Sequence, residues 1–195
     1  GAEALLYPIV SDDKTALEQV LDDALQKADL VILNGGSSQG DEDYNARLLH
    51  KLGKVLCHGA AAAPGKPLCA AIANNKPVIN LPGPFLAAYH GLEWCINALV
   101  SHYLCLPPKT RQTLEVTLTE EVRVPKDISI LCNFNLGRSK NGEYLATPIN
   151  FKQGPMGKTV GAIAQYMTPL GGEPLPAGSK ITVELLQGIE YIPQL

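Results

Sequence analysis

The chain has 195 residues, 46% apolar and 18% charged, enough for one ordinary core or two small ones and too apolar for a disordered chain. A net charge of −3 excludes nucleic acid as the main partner, because that needs a basic surface, but it leaves room for one small anion. No apolar run is long enough to span a bilayer and no secretory leader is visible. The five cysteines, Cys57, Cys69, Cys95, Cys105 and Cys132, contain no Cys-x-x-Cys pair, so they read as reduced structural thiols in a cytoplasmic chain rather than as a zinc site.

In chain order, Ala4–Val10 predicts a strand, and Ser11-Asp12-Asp13 supplies a cap for a helix with Leu17, Val20, Leu21, Ala24 and Leu25 on one face. The continuous apolar run Leu30-Val31-Ile32-Leu33 predicts a strand buried on both faces of a parallel sheet. A second helix is expected from about Asp41 to Leu52. Further strands are expected at Val55–Cys57, Leu68–Ala73 and Pro77–Leu81. The segment from Phe85 to about Tyr103 is nearly apolar all round and predicts a largely buried helix. Strands alternating with helices imply an α/β domain: three layers, a mostly parallel sheet with helices on both faces.

Composition changes at Leu106-Pro107-Pro108-Lys109, which divides the chain into domains 1–106 and 107–195. Strands are expected at Leu114–Thr119, Ile128–Leu136, Gly142–Ala146, Gly161–Met167 and Lys180–Leu186, with Asn141-Gly142 as a hairpin signal. Short strands separated by Gly and Pro predict a small all-β barrel or sandwich.

The segment richest in site chemistry is Asn34-Gly35-Gly36-Ser37-Ser38-Gln39-Gly40-Asp41-Glu42-Asp43, between a strand end and a helix start. Open α/β sheets place ligands there, with glycines admitting close approach, hydroxyls at Ser37 and Ser38, and helix N–H groups facing an anion. An ordinary capped turn is equally compatible, and first-turn acids also follow from the helix dipole. Asp43 and Asp12 could together hold a metal, which their spacing leaves open. Pro64-Gly65-Lys66 is a rigid turn with one cation, either solvated or aimed at an oxyanion, and Pro82-Gly83 has the same ambiguity. His50, His58, His90 and His102 show no ligand spacing and stand beside no nucleophile motif.

Taken together and in order, Ser11-Asp12-Asp13, Ala28-Asp29-Leu30-Val31-Ile32 running into Gly35–Tyr44, Pro64-Gly65-Lys66-Pro67 and Leu81-Pro82-Gly83 resemble the molybdopterin molybdotransferase family, the MoeA/gephyrin group. The second half, through Leu175–Ser179 into Val183–Leu186, is similar to that family's carboxy-terminal barrel. The resemblance implies a molybdenum-cofactor biosynthesis transferase. In it Gly35, Gly36, Ser37, Ser38, Gly40, Pro64, Gly65, Lys66, Pro82 and Gly83 bind molybdopterin or its adenylylated form. Asp12 and Asp43 are then the catalytic and metal-holding carboxylates, Mg²⁺ the metal, and molybdate the co-substrate. A homodimer that binds a small pterin phosphate, with neither nucleic acid nor membrane as partner, is implied as well. The family's T-G-D-E strand and amino-terminal domains are absent from the sequence, so the first domain is expected to lack its first strand. Gly59 and Ala63 stand where the family has basic residues, and Pro84, Phe85 and Ala87 replace its Asn, Pro and Ser. These departures predict weak or no turnover by this chain alone. They also keep open a non-catalytic pterin- or nucleotide-phosphate-binding or interaction module.

Overall fold

The computed structural model describes residues 1–11, 13–36, 44–108, 110–149 and 161–195. The first elements are α1 (Lys14–Lys27), β1 (Val31–Asn34), α2 (Tyr44–Leu52), β2 (Gly53–His58), β3 (Ala62–Ala63), β4 (Cys69–Ala73) and β5 (Lys76–Leu81). One helical stretch follows, formed by α3 (Phe85–Gly91), a π-helical turn (Leu92–Ile96) and α4 (Asn97–Tyr103). The remaining strands are β6 (Thr113–Leu118), β7 (Ser129–Arg138), β8 (Tyr144–Ile149), β9 (Ala164–Met167) and β10 (Lys180–Leu185). The chain forms two compact units, Gly1–Ala60 with Pro64–Pro108, and Ala61–Ala63 with Lys109–Leu195. Among the described residues no helix is long and apolar enough to cross a membrane.

The first unit is an α/β sandwich around a sheet of order β1-β5-β4-β2. Asp13 caps α1, its Oδ1 accepting from the Ala16 N–H at 2.8 Å. Leu21, Ala24 and Leu25 of α1 join Leu48 and Leu49 of α2 on one sheet face, against Val31, Cys69, Ala71, Ala73 and Val78. On the other face Leu68, Ile79 and Leu81 pack with Ile96, Leu92, Trp94 and Leu99. Side-chain alternation along β4 and β5 therefore feeds two cores, one under each helical layer.

The helices cover both faces as expected, but the sheet is mixed rather than mostly parallel. Only β1 and β5 run parallel; β5–β4 and β4–β2 are antiparallel. The cause is local. Asn74 and Asn75 have φ of 49° and 61°, the left-handed pair that closes a two-residue hairpin between Ala73 and Lys76.

Three further expectations change. Ala4–Val10 enters no strand: Leu6 and Ile9 are fully exposed, and the segment is tied down through the Tyr7 hydroxyl, which donates to Asp23 Oδ2 at 2.7 Å. An apolar run without a neighbouring ladder does not make a strand. β1 is a sheet edge, so Ile32 is 47% exposed instead of buried on both faces. The helical stretch 85–103 buries one side only; Ala87, His90 and Ile96 are inside while Phe85, Tyr89 and Tyr103 are exposed.

The second unit is a closed barrel. β7 pairs with β8, β8 with β6, β6 with β10, β10 with β9, and β9 returns to β7. Strict alternation in β10 buries Ile181, Val183 and Leu185, which meet Val116, Leu118, Phe134, Leu136, Ala146 and Ala164 in the interior. Near Asn141-Gly142 the β7–β8 connection uses positive φ only at Gly142, and Ser139 closes the loop by accepting from Gly142 N and Glu143 N. β3 is a short parallel addition to β7.

Candidate functional site

Three turns that carry sequence candidates, Gly35-Gly36, Pro82-Gly83 and Pro64-Gly65-Lys66, lie at one end of the first unit's sheet. β1 and β5 are parallel with Asn34 opposite Leu81, so both end on the same side. The two glycine turns that follow touch. Gly35 N donates to Leu81 O at 3.0 Å, and a Cβ placed on Gly83 would lie 4.0 Å from Gly35 Cα. β4 is antiparallel to β5 with Cys69 opposite Asn80, so β4 starts where β5 ends. The turn Pro64-Gly65-Lys66, just before β4, therefore belongs to that same end of the sheet.

Each turn is built by specific contacts. Gly35 and Gly36 hold φ of 89° and 61°, a region that favours glycine. Asn45, in the first turn of α2 and 7% exposed, donates from Nδ2 to Gly35 O at 2.9 Å. A Cβ on Gly36 would fall 2.7 Å from that same nitrogen. Pro82 is buried while Gly83 is exposed, so this second turn offers backbone rather than side chain to a ligand.

The Pro64–Lys66 turn closes through Ala60 N to Lys66 O at 2.8 Å and Leu68 N to Gly65 O at 3.0 Å. It rests on a pair of rings that sequence reasoning did not assign to the site. His90 is 2% exposed and stacks on Trp94, centroids 5.4 Å apart. Its Nδ1 lies 3.0 Å from the Pro64 carbonyl, which can only accept, so Nδ1 carries the proton. Burial holds His90 below the ordinary histidine value, opposed by the Pro64 carbonyl and by Glu93. Trp94 packs over Gly65, where a Cβ would sit 2.7 Å from the indole. It projects from the π-helical turn, in which Asn97 N reaches back to Leu92 O. The i, i+4 spacing of His90 and Trp94 on one helix was the signal available in the sequence. Lys66 itself is exposed.

Asp12, Ser37, Ser38, Gly40 and Asp43, the remaining sequence candidates, lie outside the described residues. Asp13, beside Asp12, serves as a helix cap. Among the described residues no group of three His, Cys, Asp or Glu could hold a metal ion. All five cysteines are free. Cys57 is exposed, because β2 is an edge strand with a register shift between Val55 and Cys57. Burial pushes the Cys132 thiol up to about 11, which leaves it protonated and unreactive.

Comparison with known proteins points the same way. A family model described as a probable molybdopterin binding domain matches residues 1–102. A molybdopterin molybdenumtransferase of Nostoc sp. is 41% identical over 87 residues, covering 43% of this chain and 20% of that protein. The molybdopterin molybdenumtransferase of Staphylococcus epidermidis is 27% identical over 201 residues, 100% of this chain and 47% of its own length. The crystal structure of the molybdopterin biosynthesis MoeA protein of Pyrococcus horikoshii superposes with a TM-score of 0.71 at 25% identity, over 92% of this chain and 42% of that one. The chain thus spans less than half the length of each of these relatives.

Proposed function

The chain belongs to the molybdopterin-binding domain family, and on that premise we propose that it binds the phosphate and pterin of molybdopterin, or of its adenylylated form, for molybdate insertion in molybdenum-cofactor biosynthesis. The observation that carries this reading is the pair of glycine turns, Gly35-Gly36 and Pro82-Gly83, held edge to edge at the carboxyl ends of β1 and β5. Such a place accepts a ligand that needs close backbone approach. In this reading Ser37, Ser38 and Gly40 supply hydroxyl and backbone donors to the phosphate, Pro64 and Gly65 set the position of Lys66, and Lys66 supplies positive charge. Asp12 and Asp43 are the carboxylates that would hold Mg²⁺, a cation that takes oxygen ligands and neutralises charge on phosphoryl oxygens. The homodimer and the cytoplasmic setting rest on the family likeness alone.

A second reading, binding without turnover, is favoured by one local fact. Gly59, where the family carries a basic residue, has φ of 99°, a conformation that side-chain-bearing residues rarely adopt. The backbone here has settled around glycine, so the charge is not simply one substitution away. Titrating the chain with molybdopterin and with its adenylylated form, with and without Mg²⁺, tests the leading reading. Saturable binding is expected, and its absence in every combination would overturn the assignment. Binding without molybdate insertion would select the second reading.

A further inference from the structure

Asn80, in β5 of the first unit, is a buried polar group that the fold leaves unexplained. Its side chain is 0% exposed, and among the described residues neither Oδ1 nor Nδ2 has a hydrogen-bond partner. A desolvated carboxamide with both atoms idle weakens a fold, and an apolar side chain of similar size would serve packing better.

Its place in the strand is informative. Val78 packs into the core under α1 and α2, whereas Ile79 and Leu81 pack into the core under α3 and α4. Alternation therefore turns Asn80 toward the α1–α2 side, at the carboxyl end of β5. Its strand neighbours are Leu33 and Cys69, and the next residue, Leu81, gives the carbonyl that holds Gly35 N. On that side Asn45, in the first turn of α2, already spends its Nδ2 on Gly35 O. Of these two buried amides one builds the glycine turn and the other is left vacant beside it.

We infer that Asn80 is a ligand-contacting residue whose carboxamide pairs with the cyclic-amide edge of a pyrimidinone ring. This rests on the functional reading above and deepens it. The chemistry follows from what the vacant group offers, one donor and one acceptor side by side. A phosphate could engage only Nδ2 and a cation only Oδ1. A ring N–H adjacent to a ring C=O, as in a pterin, satisfies both at once: Nδ2–H donates to the carbonyl and the ring N–H donates to Oδ1. Because Asn80 has no exposed surface, its cover must shift on binding, and the pair then forms away from competing water. The phosphate is left to the backbone of the glycine turns, so ring and phosphate are read by different groups.

The test compares wild type with Asn80→Leu, and with Asn80→Ala in case leucine is misfitted. Two ligands are titrated, 6-hydroxymethylpterin phosphate and glycerol phosphate, and Tm is measured without ligand. Expected are a Tm for Asn80→Leu no lower than wild type, at least a tenfold loss of affinity for the pterin phosphate, and unchanged affinity for glycerol phosphate. Wild-type affinity for the pterin phosphate in both variants would overturn the role of Asn80 and leave the functional reading standing. So would a lower Tm in both variants with equal loss for both ligands, since that would make Asn80 a structural group completed by buried water. A wild-type chain that binds neither ligand would defeat the functional reading, and this inference with it.

Discussion

Gly65 carries two constraints that no other residue type meets together, a φ of 138° and a Trp94 ring 2.7 Å from where a Cβ would stand. Gly65→Ala should therefore cost about 1–3 kcal/mol, the usual penalty for overpacking, read as a lower denaturant midpoint at unchanged slope. The neighbouring cation tests function rather than stability. Lys66→Ala should weaken binding of a pterin phosphate by about 1.5–3 kcal/mol, the range for a hydrogen bond to a charged group, with Tm unaltered. Trp94 is the sole tryptophan, so its emission reports on this turn directly; an unchanged dissociation constant would return Lys66 to the role of a solvated turn residue. His90 gives a pH signature of defined sign. Its folded pKa lies below the ordinary value of about 6.5, so the unfolded chain takes the proton first. The stability held by neutral His90 is present above that value and is lost as pH falls through it toward the folded pKa. Unfolding curves at pH 7.5 and 5.5 should show a larger drop for wild type than for His90→Gln, which keeps a donor for Pro64 O. Parallel behaviour of the two proteins would show that His90 does not titrate in this range.

At the scale of elements, the sheet's mixed character comes from two consecutive asparagines. Asn74 and Asn75 tolerate left-handed backbone better than most residues, so β4 turns back on β5 instead of crossing over to a parallel neighbour. Lys76 at the end of that hairpin donates to Leu25 O at 2.7 Å, which ties it to α1. Asn75→Val should destabilise the first unit by roughly 1–2 kcal/mol, the cost of forcing a β-branched residue into the left-handed region. Circular dichroism melts would detect this, and an unchanged melt would mean that the turn relaxes to another type. The π-helical turn Leu92–Ile96 is the other element with a consequence for the site. It sets the angle of Trp94 toward Gly65 while Ile96 stays in the core.

For the whole molecule, the junction expected near residues 106 and 107 remains a proposal about independent domains. The first unit ends at Pro108, and Ala61–Ala63 belong to the barrel unit, an excursion that no composition change announces. We expect the 195-residue chain to bind pterin phosphate and to insert molybdate weakly or not at all. Each electrostatic stabiliser lost from a phosphoryl-cleaving site typically costs about 2.7–4 kcal/mol, and the family resemblance implies basic residues where this chain has Gly59 and Ala63. Adenylyl release coupled to molybdate insertion, assayed for this chain beside one of its longer relatives, checks this; full turnover by the chain would show the chemistry to reside elsewhere. What the sequence determined by itself was whatever short-range pattern encodes. That includes the helix at Leu17–Leu25, the five barrel strands, the glycine turn after β1 and the family to which these motifs belong. Those features rest on periodicity and on residues with special backbone freedom, which are visible within a few positions. Only the tertiary structure decided that Ala4–Val10 enters no strand, that Ile32 lies on an edge, that His90 and Trp94 support the Lys66 turn, and that Asn80 is buried without a hydrogen-bond partner among the described residues. Each of those depends on which distant segment arrives alongside, and burial and hydrogen-bond satisfaction exist only once it has.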